Sequence, residues 1–245
     1  MDEKATKTVK HKNLTWINVE DPTPELLSDF KEKYGFHELD IEDVLSENQR
    51  SKVDEYEDYL FIILHIPLYD KKSQKVTSEE VDIFIAKNLL VTLHWGSLKK
   101  LNDLFDNSSL KESIRDQYMN HGSGFLLYEI LNLLYNEGFP IIDAVERGLA
   151  SLEKDVFAFT GQRDMLKDIL TIKKNIITFR RIISPQRAVV AQLEHKNSQF
   201  LPDNLEVYFD DVVDKVEKIW NNLENLKDLV ESLQETNESI ISHNT

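Results

Sequence analysis

Apolar positions along the chain follow short alternating runs up to about residue 120, and helical spacing beyond it. Thr15-Trp16-Ile17-Asn18-Val19 predicts a strand. Asp21-Pro22-Thr23-Pro24-Glu25 predicts a turn that opens a helix through Leu26, Leu27 and Phe30, closed by Gly35. Leu39 to Ser46 predicts a short helix with Ile41, Val44 and Leu45 on one face. Successive residues turn by about 100°, so Asp40, Asp43 and Glu47 are expected on the opposite, exposed stripe, with Glu42 to one side. Tyr59 to Leu68 is apolar on both alternating faces, as a central strand covered by layers on each side must be. Val76 to Ala86, a Lys87-Asn88 turn and Leu89 to Trp95 complete an antiparallel meander. Gly96-Ser97 then opens a helix through Leu98, Leu101, Leu104 and Phe105.

The glycine-bearing break His121-Gly122-Ser123-Gly124 marks a domain boundary, with no strand pattern after it. Phe125 to Phe159 is helical with a bend at Gly138-Phe139-Pro140. Met165 to Leu193 is helical with a bend at Ser184-Pro185, and Thr160-Gly161 joins the two as antiparallel neighbours. After Pro202, with Asp203 as cap, Leu205, Phe209, Val212, Val216, Ile219, Leu223, Leu226, Val230, Leu233, Asn237 and Ile240 recur at steps of four and three. That heptad seam predicts a single helix of roughly 58 Å projecting as a stalk. No glycine or proline ends it before Thr245, so a helix cut short is expected. The organisation is an α/β domain over residues 1–122, a helical hairpin over 123–201 and a stalk helix over 202–245, an α+β chain.

Composition narrows the function. A hydrophobic share of 41% in 245 residues is ordinary for a chain that buries a core. The net charge of -15 argues against a nucleic-acid partner and favours a cation. Without cysteine there is neither disulfide nor thiolate metal site, which fits a reducing cytoplasm. No apolar run reaches the 18 residues of a membrane span, and Met1 to Lys12 is too polar for a signal peptide or anchor.

Enzyme chemistry finds little support: there is no phosphate loop, nucleophile elbow or His-Glu-x-x-His, and the seven histidines lack ligand spacing. His65, on the apolar strand, reads as a hydrogen-bonded core imidazole. Two acidic groups remain, Glu42-Asp43 on the short helix and Asp210, Asp211 and Asp214 near the head of the stalk. Small sets of hard oxygen ligands suit Mg²⁺ or Ca²⁺. Spacing alone favours solvated helix surface over a metal site.

The ordered set of motifs resembles the cytoplasmic portion of the CorA family of magnesium channels. Thr15-Trp16-Ile17-Asn18 is similar to that family's first strand, Tyr34-Gly35-Phe36-His37 to its Phe-Gly-Ile-His turn, and Ile41-Glu42-Asp43-Val44-Leu45 to its Leu-Glu-Asp-Ile-Leu helix. Arg50-Ser51-Lys52-Val53-Asp54 resembles its Arg-Pro-Lys-Val-Glu, followed by Tyr56-Glu57-Asp58-Tyr59. Lys87-Asn88 matches its hairpin turn, Ser184-Pro185-Gln186-Arg187 its Trp-Pro-Leu-Arg bend, and Tyr208-Phe209-Asp210-Asp211-Val212 its Tyr-Phe-Arg-Asp-Val. The resemblance implies a mixed sheet with helices on both faces, a helical hairpin, and a stalk that continues into the first transmembrane span. It implies a homopentamer in which Asp43 of one subunit and Asp211 of its neighbour share a regulatory Mg²⁺, with Glu42 close by. Loss of the ion would let the subunits splay and open the pore. The Gly-Met-Asn motif and both membrane spans are absent from these residues, so conduction is not carried by them. The acidic ligand that some members place near Val145 to Ala150 has no counterpart among Glu146, Arg147 and Gly148.

The leading expectation is therefore the Mg²⁺-sensing cytoplasmic domain of an inner (plasma) membrane divalent-cation channel, not an enzyme. As a fragment it should associate only weakly. A zinc-transporting member of the same family, with Zn²⁺ or Co²⁺ in place of Mg²⁺, is the alternative within this class. A soluble helical scaffold assembling through the seam is the alternative outside it. A metal-dependent hydrolase built on Asp210, Asp211 and Asp214 lacks a nucleophile and a base.

Overall fold

Alternation along the strands decides which helices cover which face of the sheet. The structure, a computed structural model, describes residues 6–46, 49–158, 165–195, 201 and 203–243. Strands β1 (Thr6–His11), β2 (Leu14–Glu20), β3 (Lys52–Glu55), β4 (Tyr59–Asp70), β5 (Lys75–Ala86) and β6 (Leu89–His94) form one sheet in the order β1-β2-β6-β5-β4-β3. All neighbours are antiparallel except β2 and β6, which run parallel. That parallel pair requires a crossover, supplied in part by α1 (Pro24–Tyr34) and α2 (Glu38–Leu45).

Leu60, Ile62, Leu64 and Ile66 of β4 face one core, and Tyr59, Phe61 and Ile63 face the other. The second core is closed by Leu27 and Phe30 of α1 and Ile41 and Val44 of α2. The first runs on into α3 (Lys99–Leu110), α5 (Ser123–Asn136), α6 (Gly138–Phe157), α7 (Met165–His195) and α8 (Glu206–His243), with α4 (Glu112–Met119) contributing Met119. Helices thus cover both faces, as expected.

Several expectations are refined. The polar β1 and the charged β3 were not anticipated, and β4 stands second from the sheet edge rather than at its centre. Chain breaks fall at Glu137, between α5 and α6, while Pro185 lies inside a continuous α7. Phe159, Thr160-Gly161, Pro202 and Glu47 lie outside the described residues.

The long C-terminal helix is present, but its seam is not left free. Leu205, Phe209, Val212, Val216, Ile219, Leu223, Leu226, Val230, Leu233 and Asn237 are all buried within the chain, and Ile240 is half-buried. Helix α7 lies along α8, with α5 and α6 beside it. Two bonds from Arg187 reach Glu217, at 2.6 and 2.8 Å, and Arg180 reaches Glu224 at 2.6 Å. Both guanidinium groups lie over the Trp220 ring, that of Arg187 at 4.8 Å and that of Arg180 at 5.2 Å from its centroid. The apolar period that reads as a stalk for self-association is thus consumed by the chain's own helices.

Candidate metal centre

Helix α2 is set against the sheet by a relay of hydrogen bonds at its N-terminus. His37 caps it, its Nδ1 accepting from the Leu39 amide at 3.2 Å. The His37 amide donates to the Tyr59 hydroxyl at 2.7 Å, and that hydroxyl donates to Asp40 Oδ2 at 2.7 Å. Tyr56 donates to Asp40 Oδ1 at 3.0 Å. Asp40 is therefore only 1% exposed, correcting its expected place on the outer stripe. Burial raises its pKa, and the two hydroxyls work against that rise by stabilising the carboxylate.

One turn on, Asp43 is half-buried and Glu42 exposed. Lys52 Nζ donates to Asp43 Oδ2 at 2.6 Å and also meets Asp54, while lying 5.6 Å from the centroid of the Phe61 ring. Burial works against the Lys52 ammonium, but its bonds to Asp43 and Asp54 prevail and hold it protonated. Register explains the encounter: Lys52 pairs with Ile63 and Ile63 with Asp82, so all three point to the face that α2 covers. Asp54 pairs with Phe61 in the next such row. One carboxylate oxygen each from Asp40, Asp43 and Asp54 lies within 4.8 Å of the others.

Two further acids of β5 join this face. Asp82 is 3% exposed, and its Oδ1 has no hydrogen-bond partner among the described residues. Burial drives its pKa well up, and Glu80 and Asp43 add to the rise. Glu80 is pushed up to about 7, first by burial and then by Asp43, against a stabilising bond from the Gln49 amide at 3.2 Å. His65 is hydrogen-bonded as expected, its Nε2 lying 2.6 Å from the Gln49 carbonyl and 3.6 Å from Glu80.

The second acidic group sits elsewhere. Asp210, Asp211 and Asp214 are exposed on α8, with Lys215 Nζ 3.4 Å from Asp211 Oδ2 and also bonded to Asn132. Because α2 covers one sheet face and α8 packs on the helices covering the other, a single chain does not bring Asp43 and Asp211 together. Asp43 lies instead beside Asp40, which helical periodicity places on the exposed stripe, and beside Lys52 and Asp54, which the sequence offers only as members of a motif and not as site residues. The alternation Lys52-Val53-Asp54 and the i, i+2 spacing of Glu80 and Asp82 carry the missing signal, since both pairs must share a face. The donors fit a hard divalent ion: they are carboxylate oxygens, and a cationic ammonium already stands against Asp43.

The fold is a mixed six-stranded sheet with helices on both faces and a long C-terminal helix. The model of the CorA-like Mg2+ transporter protein family matches residues 11–245, and the chain belongs to that family. It is 28% identical over 238 residues to the cobalt/magnesium transport protein CorA of Thermotoga maritima, covering 94% of this chain and 65% of that protein. To the CorA of Methanocaldococcus jannaschii it is 31% identical over 183 residues, covering 75% of this chain and 56% of that protein. The chain thus spans less than two thirds of these relatives' length. The solved soluble domain of the latter CorA superposes with a TM-score of 0.78 at 27% identity, covering 93% of this chain and 88% of that one. Among the described residues no helix is long and apolar enough to cross a membrane.

Proposed function

We propose that these residues form the cytoplasmic, Mg²⁺-sensing part of a pentameric divalent-cation channel in an inner (plasma) membrane. The α/β unit, the helical hairpin and the C-terminal helix act as its three parts, at the boundaries given above. In this reading Asp43 of one subunit and Asp211 of its neighbour hold one cation between them, with exposed Glu42 beside it. The observation that carries it is the placement of the two carboxylates: each reaches its surface from an opposite side of the sheet, so a shared site needs a second copy of the chain. The ion supplies positive charge between two like-charged surfaces, and the subunits separate when that charge is withdrawn.

Protease protection of the assembled protein in membranes, followed against Mg²⁺ concentration, tests this. Asp43→Ala and Asp211→Ala should each raise the half-protecting concentration about tenfold or more. The double mutant should lose little beyond either, because both changes empty one site. Independent, additive shifts would sink the shared site.

A further inference from the structure

Both carboxylates assigned to the shared cation already hold a lysine of their own chain. The two pairs are not equivalent. Lys215 lies 3.4 Å from an Asp211 side chain that is 56% exposed, one helical turn away, where water and salt weaken the pairing. Lys52 comes to Asp43 from the edge strand β3, at 2.6 Å, with 33% and 23% of the two side chains exposed. Its ammonium is shared with Asp54, and register fixes where it points.

We propose that Lys52 is a built-in competitor for the Asp43 carboxylate, which sets the divalent-ion concentration at which the shared site fills. The proposal rests on the reading of Asp43 as a cation ligand and adds what regulates it. A divalent ion bonded to Asp43 cannot share the space around Oδ2 with an ammonium 2.6 Å away, since the two positive charges would repel at contact distance. The ammonium must therefore swing aside. Asp54 is the group that can keep it, being bound to it already. Asp40 cannot, because both its oxygens accept tyrosine hydroxyls, and Asp82 is sealed within the core. Filling the site is thus an exchange in which Asp43 trades an ammonium for a metal ion and Asp54 retains the lysine. The exchange selects by charge. At Asp43 a monovalent ion only matches the charge of the ammonium it displaces, whereas a divalent ion brings a second positive charge to that carboxylate.

The test uses the assembled full-length protein and the Mg²⁺ concentration that gives half-maximal protection from a protease. Lys52→Met, which keeps the apolar stem over Phe61, should lower that concentration by about two- to fivefold, the worth of a partly exposed ion pair. Lys52→Arg keeps the charge and should stay at or above the wild-type value. Asp54→Asn should raise the midpoint in wild type, since Lys52 then binds Asp43 alone, and should change little once Lys52 is Met. That dependence separates competition from a general field effect, which would make the two changes additive. An unchanged or raised midpoint in Lys52→Met, with Asp43→Asn still abolishing the response, overturns the competitor and leaves the metal site standing. An unchanged midpoint in Asp43→Asn overturns both. If Lys52→Met shows no melting transition, Asp54→Asn decides the matter, and an unshifted midpoint there counts against competition.

Discussion

Glu80 illustrates how one side chain's surroundings become a property of the whole chain. Its carboxyl is 9% exposed and pushed up to about 7 by burial and by Asp43, well above the range of an unfolded glutamate. A raised acid pKa means that the folded chain binds more protons than the unfolded one between the two values. Stability is therefore fullest below the unfolded pKa and is lost as pH rises through about 7. Wild type should lose roughly 1–2 kcal/mol more than Glu80→Gln between about pH 5 and about pH 8, a figure reduced for the water that still reaches the group. In melting curves that difference is about 2–8 °C, and parallel pH profiles for the two proteins would refute it. The amide oxygen of glutamine can still accept from Gln49, so the comparison isolates the titration. Part of this site was legible in the sequence and part was not. Asp43 and Asp211 stand out as motif residues. Asp40 was misplaced because helical periodicity assigns acids to the wet face unless buried donors meet them, and here Tyr56 and Tyr59 supply those donors from a strand and its approach.

At the level of elements, what the pattern conveys is period, and it conveys nothing about which partner covers an apolar face. Tyr59–Asp70 was readable because both its faces are apolar over a long stretch, and Lys75–Ala86 and Leu89–His94 because apolar runs flank the two-residue turn Lys87-Asn88. Thr6–His11 has one buried residue, Val9, and Lys52–Glu55 has none, so hydrophobicity leaves no trace of either strand. Both exist because a neighbouring strand offers a ladder. The bend motif of α7 carries Gln186 where the family pattern has leucine, and the difference has a structural use. Its Nε2 donates to the His65 carbonyl at 2.5 Å and its Oε1 accepts from Tyr135 at 2.9 Å, tying α7 to β4 and α5. Asn237 shows the opposite failure. As a seam residue near the end of a free stalk it is expected to be exposed, and Asn237→Leu to change little. In the structure it is 5% exposed and its Nδ2 has no partner among the described residues, because α8 is covered along its length. An unsatisfied buried amide costs about 1–3 kcal/mol. Asn237→Leu, of similar volume, should raise stability by about 1 kcal/mol, or about 2–4 °C in melting temperature. A fall in melting temperature would show that the amide is bonded to water or to a neighbour.

For the whole molecule, the question is how copies in the proposed assembly would meet once the seam is closed inside each chain. The net charge of -15 makes any pair of copies repel. Glu217 and Glu224 are offset by Arg187 and Arg180 of the same chain, but Asp210, Asp211 and Asp214 remain exposed at the head of α8. The apolar residues left on α8 are separated, with Val207 77% and Leu229 58% exposed, and form no continuous stripe for a coiled coil. Association of this chain by itself should therefore be weak and governed by cations. At micromolar concentration it should sediment as a monomer at low ionic strength, and NaCl should raise its apparent mass modestly by screening. Millimolar Mg²⁺ should raise it further than NaCl of matched ionic strength, because a shared site binds the assembled form alone and stabilises it by mass action. Asp211→Ala should remove that Mg²⁺-specific increment while leaving the NaCl response intact, since an exposed helix-surface acid contributes little to the fold. A tight oligomer indifferent to both salts would mean that an apolar interface, and not the acidic pair, sets the assembly. Equal responses to Mg²⁺ and matched NaCl would mean that the carboxylates are screened as a surface and bind no ion in common.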